Sequence, residues 1–385
     1  MAMSKVVIVK CTSYDGEQVY EALKRGMAYL GGITRFVSPE EKILLKPNML
    51  RSKKIESGCT THPAVFEGVI RLLEEAQCTK LTYGDSPGLG SPEKVATEVG
   101  LAAVAEVHGI PQGVFDRGQT VAYPDGEVTK RFELAQSVIE TDALISLCKM
   151  KTHGLTRITG AVKNQLGCVY GFNKGASHAR FPNSLQFSRM LVDLNQCIAP
   201  RLFIMDGITA MEGNGPASGT PVKMNCLLIS DDPVALDATF ARLVDLDPSF
   251  VPTITAGEEM GLGTYLQDEI TLLGDHLGDL INDNFSVERI PVKDESTISL
   301  SNLKFVKNWL TRKPVVIRER CVQCGICIAS CPLEEKALRW QEVGSNRYPK
   351  YDYHRCIRCY CCQEMCPKKA IVVKTPLLGR IFIYR

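Results

Sequence analysis

No stretch of this 385-residue chain is apolar over the ~18 residues that a membrane-crossing helix needs, so a transmembrane protein is not expected. The first ten residues, Met1 to Lys10, read as a strand. They contain no apolar leader of signal-peptide length and no twin arginine, and the expected location is the cytoplasm. An excess of charge of one sign is missing too: 45 Lys and Arg against 43 Asp and Glu leave a formal +2. No basic stripe interleaved with aromatics stands out, which argues against nucleic-acid binding. No motif indicates a flavin.

Cysteine is what the chain has in abundance, at 16 residues. Cys321-x2-Cys324-x2-Cys327-x3-Cys331-Pro332 is followed by Cys356-x2-Cys359-x2-Cys362-x3-Cys366-Pro367. This is the spacing of bacterial ferredoxins that hold two [4Fe–4S] clusters. Three cysteines at three-residue intervals wrap one cluster, and the fourth points away to the other. Cys321, Cys324, Cys327 and Cys366 are therefore assigned to the first cluster, and Cys331, Cys356, Cys359 and Cys362 to the second. Gly325 lies inside the first loop, where backbone must approach sulfur closely. Pro332 and Pro367 fix φ as the chain leaves each motif.

Zinc suits this number and spacing of thiols poorly. Disulfides belong to an oxidising compartment that nothing here indicates. Cys361 falls out of the motif register and reads as a free thiol beside the second cluster. The remaining seven cysteines read as small buried apolar residues. Clusters of this kind are readily oxidised, so an anaerobic or microaerobic setting is expected.

The small net charge conceals a split. Residues 312–385 carry 15 Lys and Arg against 6 Asp and Glu, a formal +9, which leaves −7 on residues 1–311. A basic cluster domain could dock on its acidic neighbour or attract an acidic electron carrier; the alternative is evenly spread charge that only solvates the surface. An electron-donor or acceptor protein is the expected partner.

Residues 1–280 alternate short apolar runs with helical patterns, as an α/β domain does. Its sheet is expected to be parallel or mixed, with flanking helices. Strands are predicted at 6–9, 42–45, 80–83, 143–147, 202–205 and 226–230. Proline-opened helices begin at Pro63, Pro92 and Pro233. Residues 281–313 read as a linker, and 314–372 as a small α+β ferredoxin-like domain with a hairpin around Gly344-Ser345-Asn346. The apolar tail 373–385 is expected to pack back on the body.

In open α/β sheets the ligand crevice lies at the carboxyl ends of the strands. Lys46, Asn48, Asp85, Lys149, Lys151, His153, Asp206 and Asp231 all follow predicted strands. The segment from Lys149 to Gly167 is the densest in chemistry. Its candidate proton donors or acceptors are His153 and Lys163. Lys46, Asn48, Lys149, Lys151, Arg157 and Asn164 are candidate ligands for a small anionic substrate. Asp206 opens a second stretch, through Gly213 and Gly215, whose backbone N–H groups could form an anion nest. That stretch matches neither a Walker loop nor a dinucleotide fingerprint.

These segments carry a resemblance. Lys46-Pro47-Asn48, Gly84-Asp85-Ser86, Lys151-Thr152-His153 leading to Thr159-Gly160-Ala161-Val162-Lys163-Asn164, Asp206-Gly207 with Glu212-Gly213-Asn214-Gly215-Pro216, and Asp232-Pro233-Val234-Ala235-Leu236-Asp237 resemble a prokaryotic family known as domain of unknown function 362. That family is often fused to a two-cluster ferredoxin module. The resemblance implies the domain order and the iron–sulfur clusters, and supplies no substrate. Three readings stay open: a redox enzyme fed by its own ferredoxin domain, an electron-transfer adaptor between partners, and a non-redox protein with structural or sensing clusters.

Overall fold

A computed structural model describes residues 3–171, 173–181, 183–291 and 309–382. The first part of the chain forms β1 (Ser4–Lys10), β2 (Ile43–Pro47), β3 (Leu81–Tyr83), β4 (Gly118–Ala122), β5 (Arg131–Ala135), β6 (Ala143–His153), β7 (Arg157–Thr159), β8 (Leu202–Glu212), β9 (Thr220–Ser230) and β10 (Ile270–Gly274). One eight-stranded sheet runs in the order β10-β1-β9-β8-β6-β2-β3, with β7 folded back on β6. Strands β4 and β5 pair separately. The sheet is mixed: β9 runs antiparallel to β1 and β8, and β7 to β6, while the other pairs are parallel.

Both faces of the sheet are buried, and the alternation of side chains sorts them. Val7, Val9, Ile43 and Leu45 belong to one apolar core, and Val6, Ile8 and Leu44 to the other. The flanking helices start where the sequence supplies caps. Asp15 accepts from Gln18 N at 3.0 Å, and Asp232 from Val234 N and Ala235 N at 2.8 and 2.9 Å. His62 serves as a cap through Nδ1, which accepts from Ala64 N at 3.1 Å ahead of Pro63.

Two expectations about the sheet change. Strands β6 and β8 each run 11 residues, well past the predicted 143–147 and 202–205. Lys149, Lys151 and His153 therefore lie on extended backbone rather than in a loop. Asp231 leaves the group of strand-end residues altogether. It follows the end of antiparallel β9, at the opposite edge of the sheet, and pairs with Arg35 at 3.2 Å. Its neighbour Asp232 bonds to Ser4 at the start of β1.

The second part of the chain contains β11 (Lys313–Val316), β12 (Leu338–Val343), β13 (Asn346–Tyr351) and β14 (Ile371–Lys374). Strands β11 and β14 pair antiparallel, and β12 with β13 forms the expected hairpin. The two cysteine motifs lie between β11 and β14. The proposed linker needs correcting at its start. Phe285 is buried against Phe240, Asn282 N donates to Leu243 O at 2.8 Å, and Glu288 pairs with Arg157 and Arg312. Residues 281–291 thus belong to the α/β body, and residues 292–308 lie outside the described ones. The tail is also different. In the helix Leu377–Phe382, Leu377 is 72% exposed and Leu378 and Ile381 are exposed too, so these side chains do not pack on the body. Residues 383–385 lie outside the described ones.

Candidate functional site

The carboxyl ends of β2, β3, β6 and β8 gather a buried polar cluster. Along β6 the period of two puts Lys149, Lys151 and His153 on one face and Met150 and Thr152 on the other. Lys149 Nζ is 2.6 Å from Asp206 Oδ2 and 2.9 Å from the Tyr14 hydroxyl, which itself donates to Asp206 Oδ1 at 2.8 Å. Lys46 Nζ lies 2.8 Å from Asp85 Oδ1. Asn48 and Asn164 join these pairs: Lys151 donates to Asn48 Oδ1 at 2.7 Å, and Asn48 Nδ2 to Asn164 Oδ1 at 3.0 Å. Lys151 also donates to Cys59 O at 2.7 Å. Two ion pairs and a chain of amides thus hold the carboxyl edge together.

Because Lys149 and Lys46 are paired internally, the cationic surplus lies at Lys151 and Lys163. Burial pulls the Lys151 ammonium down to about 8, still mostly protonated at neutral pH. Lys163 is lowered as well, by burial first, against the attraction of Glu364. Its position is set by Asp237, whose carboxylate accepts from Ala161 N at 2.6 Å and Val162 N at 3.2 Å. Burial raises Asp237 to about 7. The Asp232-to-Asp237 segment thus has two tasks: one aspartate caps its own helix, and the other fixes the short turn carrying Lys163 and Asn164.

Gly167 is needed for packing at this edge. A Cβ there would stand 1.7 Å from Asp85 Oδ1 and 2.9 Å from Lys46 Nζ. Gly167→Ala is expected to lower stability by ~1–3 kcal/mol, read from chemical denaturation, as overpacking does.

The cluster domain closes this edge. The short helix Cys361–Glu364, inside the second cysteine motif, is inserted against the α/β domain. Glu364 Oε1 lies 2.9 Å from His153 Nε2, a close contact too poorly aligned for a full hydrogen bond. His153 Nδ1 accepts from Leu155 N and Thr156 N at 3.0 and 3.2 Å, so the neutral ring carries its proton on Nε2, facing Glu364. Burial and then Lys163 push His153 down to about 4. Burial alone would raise Glu364, but His153, Lys163 and His178 outweigh it and hold the carboxyl at about 2. Gln363 Nε2 donates to Asn214 Oδ1 at 2.8 Å and to Gly215 O at 2.9 Å. Arg51 donates to Glu364 O at 3.3 Å, and Lys369 to Gly219 O at 2.9 Å. Tyr360 is buried in the α/β core.

This geometry sorts the predicted residues. Lys46, Asn48, Lys149, Lys151, His153, Lys163, Asn164 and Asp206 come together. Arg157 does not join them: its guanidinium pairs with Glu288 and donates to Ile290 O at 2.9 Å, fastening residues 281–291 to the body. Gly213 and Gly215 form no anion nest, because Gly213 N donates to Ser286 O at 2.7 Å and Gly215 N to Gly213 O at 2.9 Å. Thr152 Oγ1 donates to Gly213 O at 3.1 Å, and the carbonyl of Gly215 faces Gln363 of the cluster domain.

Sequence reading missed Tyr360, Gln363, Glu364 and Arg51, and held His178, with Arg180, only as a weaker candidate. One signal was available. Aligning the two cysteine motifs puts Tyr360 where the first has Gly325, and Gln363-Glu364-Met365 where it has Ile328-Ala329-Ser330. Tyr360 keeps the left-handed backbone of Gly325, at φ 62 against 75, which a non-glycine residue adopts at some cost. A large side chain at a glycine position points to an outside constraint, here burial in the neighbouring domain.

Cys321, Cys324, Cys327 and Cys366 line one cavity with Val316, Val322 and Ile371. Cys331 and Cys359 are electrostatic neighbours of Cys356, and Cys356 and Cys359 are neighbours of Cys362, which also has Cys327 nearby; the Tyr351 hydroxyl lies 3.1 Å from Cys362 Sγ. Backbone N–H groups of Ala337 and Ala370 donate to Cys331 and Cys366 at 3.5 and 3.2 Å. Thiolate quartets with N–H donors and apolar walls fit [4Fe–4S] groups. Cys361 stands outside both quartets and touches Cys359.

Comparison with known proteins agrees. Residues 43–242 match the family described as "Domain of unknown function (DUF362)", and residues 320–370 match "4Fe-4S dicluster domain". A thylakoid-associated protein of Synechocystis sp. is 34% identical over 317 residues, covering 80% of this chain and 98% of that one. Two solved structures share a weaker likeness. The lactate racemase apoprotein of Thermoanaerobacterium thermosaccharolyticum has a TM-score of 0.39 at 11% identity, covering 62% of this chain and 56% of that one. A protein from Thermotoga maritima has a TM-score of 0.34 at 13% identity, covering 66% and 61%. This chain therefore spans less than two thirds of either solved structure. No helix among the described residues is long and apolar enough to cross a membrane. The chain belongs to the DUF362 family and is an iron–sulfur protein that carries a C-terminal 4Fe-4S dicluster domain.

Proposed function

We propose that this protein is an oxidoreductase in which the dicluster domain delivers electrons to a substrate site at the carboxyl edge of the α/β sheet. One observation carries the reading: the loop bearing Cys359 and Cys362 is inserted over that edge, placing Glu364 2.9 Å from His153. Cys321, Cys324, Cys327 and Cys366 would hold the first cluster, and Cys331, Cys356, Cys359 and Cys362 the second. The clusters supply electrons one at a time. The protein's own groups supply the rest: His153 and Lys163 exchange protons, and Lys151 with Lys163 offsets negative charge on a small anionic substrate.

The path has a direction. Cys324 is exposed and Val322 beside it is 55% exposed, whereas Cys359 and Cys362 are buried. Cys321, Cys324, Cys327 and Cys366 would hold the group nearer the outside, and Cys359 with Cys362 the group nearer the sheet edge. The basic cluster domain favours an acidic carrier protein as donor, in a reducing cytoplasm. Its reduction rate by such a carrier is expected to fall roughly tenfold or more between low and high salt. A rate independent of salt in stopped-flow experiments would remove the charge argument.

Arg51 would tune a cluster held by Cys324 and Cys366. It is buried, and its electrostatic neighbours include Cys366 and Cys324. A fixed positive charge favours the more negative, reduced cluster. Arg51→Leu is expected to lower one midpoint potential by some tens of millivolts in an EPR-monitored titration and to leave the other nearly unchanged.

The overall reading is tested by anaerobic purification with iron and sulfide counts, dithionite-reduced EPR, and analysis of small molecules released on denaturation. About eight irons per chain with a co-purified organic ligand support the enzyme. A second reading, an electron-transfer adaptor, draws on the burial of His153, Lys163 and His178 beneath the cluster domain. About eight irons with no ligand, and fast exchange with a generic ferredoxin, would favour it.

A further inference from the structure

We propose that His153, Lys163 and His178 form a carboxylate-binding pocket whose built-in occupant is Glu364, so that a substrate carboxylate enters only when the Tyr360–Met365 loop withdraws. This rests on the reading of the strand-end cluster as the substrate site and names the chemistry that it selects.

A carboxylate is among the costliest side chains to bury, and it survives burial only against charge or donors built to receive it. Glu364 comes from the other domain, yet it is buried against His153, with Lys163 and His178 among its electrostatic neighbours. The fit is incomplete. Glu364 Oε1, His153 Nε2 and His178 Nδ1 are all buried without a well-formed hydrogen bond. Polar groups this deep in a protein are normally satisfied. A pocket shaped for Glu364 alone has no reason to leave three polar atoms short. A free carboxylate, not tethered through a helix between two cluster ligands, can settle where it meets the imidazole N–H and the ammonium together.

The loop is fastened by contacts that can be exchanged for water. Gln363 bonds to Asn214 and Gly215, and Arg51 to the Glu364 carbonyl. Withdrawal would leave Lys163 with no carboxylate from the cluster domain, which is the state that attracts an anion. The Tyr360–Met365 loop and a substrate carboxylate therefore compete for one pocket, while Lys369 still ties the cluster domain to Gly219.

The test uses the full-length protein with its clusters, and acetate and formate as probes. Glu364→Ala should bind acetate roughly tenfold or more tighter than the wild type, seen as a saturable rise in melting temperature that chloride at equal ionic strength does not reproduce. Adding Lys163→Met to that variant should abolish the gain. A Glu364→Ala protein with full iron content and no gain over wild type overturns the proposal. Should that variant lose iron, hydrogen–deuterium exchange on the wild type decides. Acetate should raise exchange in residues 360–365 where chloride does not, and equal exchange in both salts overturns the proposal. These readouts involve no electron transfer. A failed carboxylate test therefore leaves the redox reading standing, and a failed EPR test leaves the pocket.

Discussion

Cys324→Ser is expected to yield protein with about four irons per chain instead of about eight, because it removes a ligand from one cluster only. Its quartet, Cys321, Cys324, Cys327 and Cys366, shares one cavity, and the second quartet lies elsewhere. The remaining four irons should keep the EPR signature of a single reduced cubane, without the broadening that two interacting clusters produce. Cys361→Ser should keep about eight irons. Cys361 is buried next to Cys359 and is the thiol best placed to compete for ligation, so this variant is the sharper test of register. Loss of iron from Cys361→Ser, with full iron in Cys362→Ser, would mean that the two adjacent cysteines have been assigned the wrong way round. Cys324 is also the exposed ligand. Its loss should therefore slow reduction by an external carrier more than it disturbs the α/β domain.

The second large effect concerns stability. Lys46 is 0% exposed and its ammonium lies 2.8 Å from Asp85. Asp85→Ala leaves a buried cation with neutral partners, Pro47 O at 3.2 Å and Asn164 Oδ1 at 3.3 Å. It also removes the acceptor of Met49 N, which donates to Asp85 Oδ2 at 2.8 Å. The expected cost is ~3–5 kcal/mol, the usual result of breaking a buried pair from one side. Replacing both partners, Lys46→Met with Asp85→Leu, should cost much less, because no charge is stranded. Urea unfolding of the two proteins makes the comparison. An Asp85→Ala cost below about 1 kcal/mol would mean that water reaches Lys46 or that it gives up its proton.

Much of the site could be read along the chain because strand-end chemistry is local. Lys149, Lys151 and His153 follow the predicted strand 143–147 directly, which already marks them as strand-end residues; that the strand continues through them and sets them on one face came from its pairing with β7 and β8. Cap residues such as Asp15 and Asp232, each near the first turn of a helix, are legible for the same reason. The direction of a strand is not local. Asp231 looks like the other strand-end polar residues until the pairing of β9 puts it at the far edge. Arg157 has the composition of a substrate ligand, and only Glu288, 131 residues away, shows that its charge is committed elsewhere.

The sequence by itself determined the clusters, the order of the domains and the family. Cluster ligation is set by covalent spacing over a few residues, and family membership by motifs that survive as strings. Only the tertiary structure decided that the cluster domain meets the carboxyl edge of the sheet. Glu364 is a spacer residue inside a ferredoxin motif when read along the chain. It becomes the carboxylate facing His153 once folding brings together residues 211 positions apart, and no local rule encodes a contact at that separation.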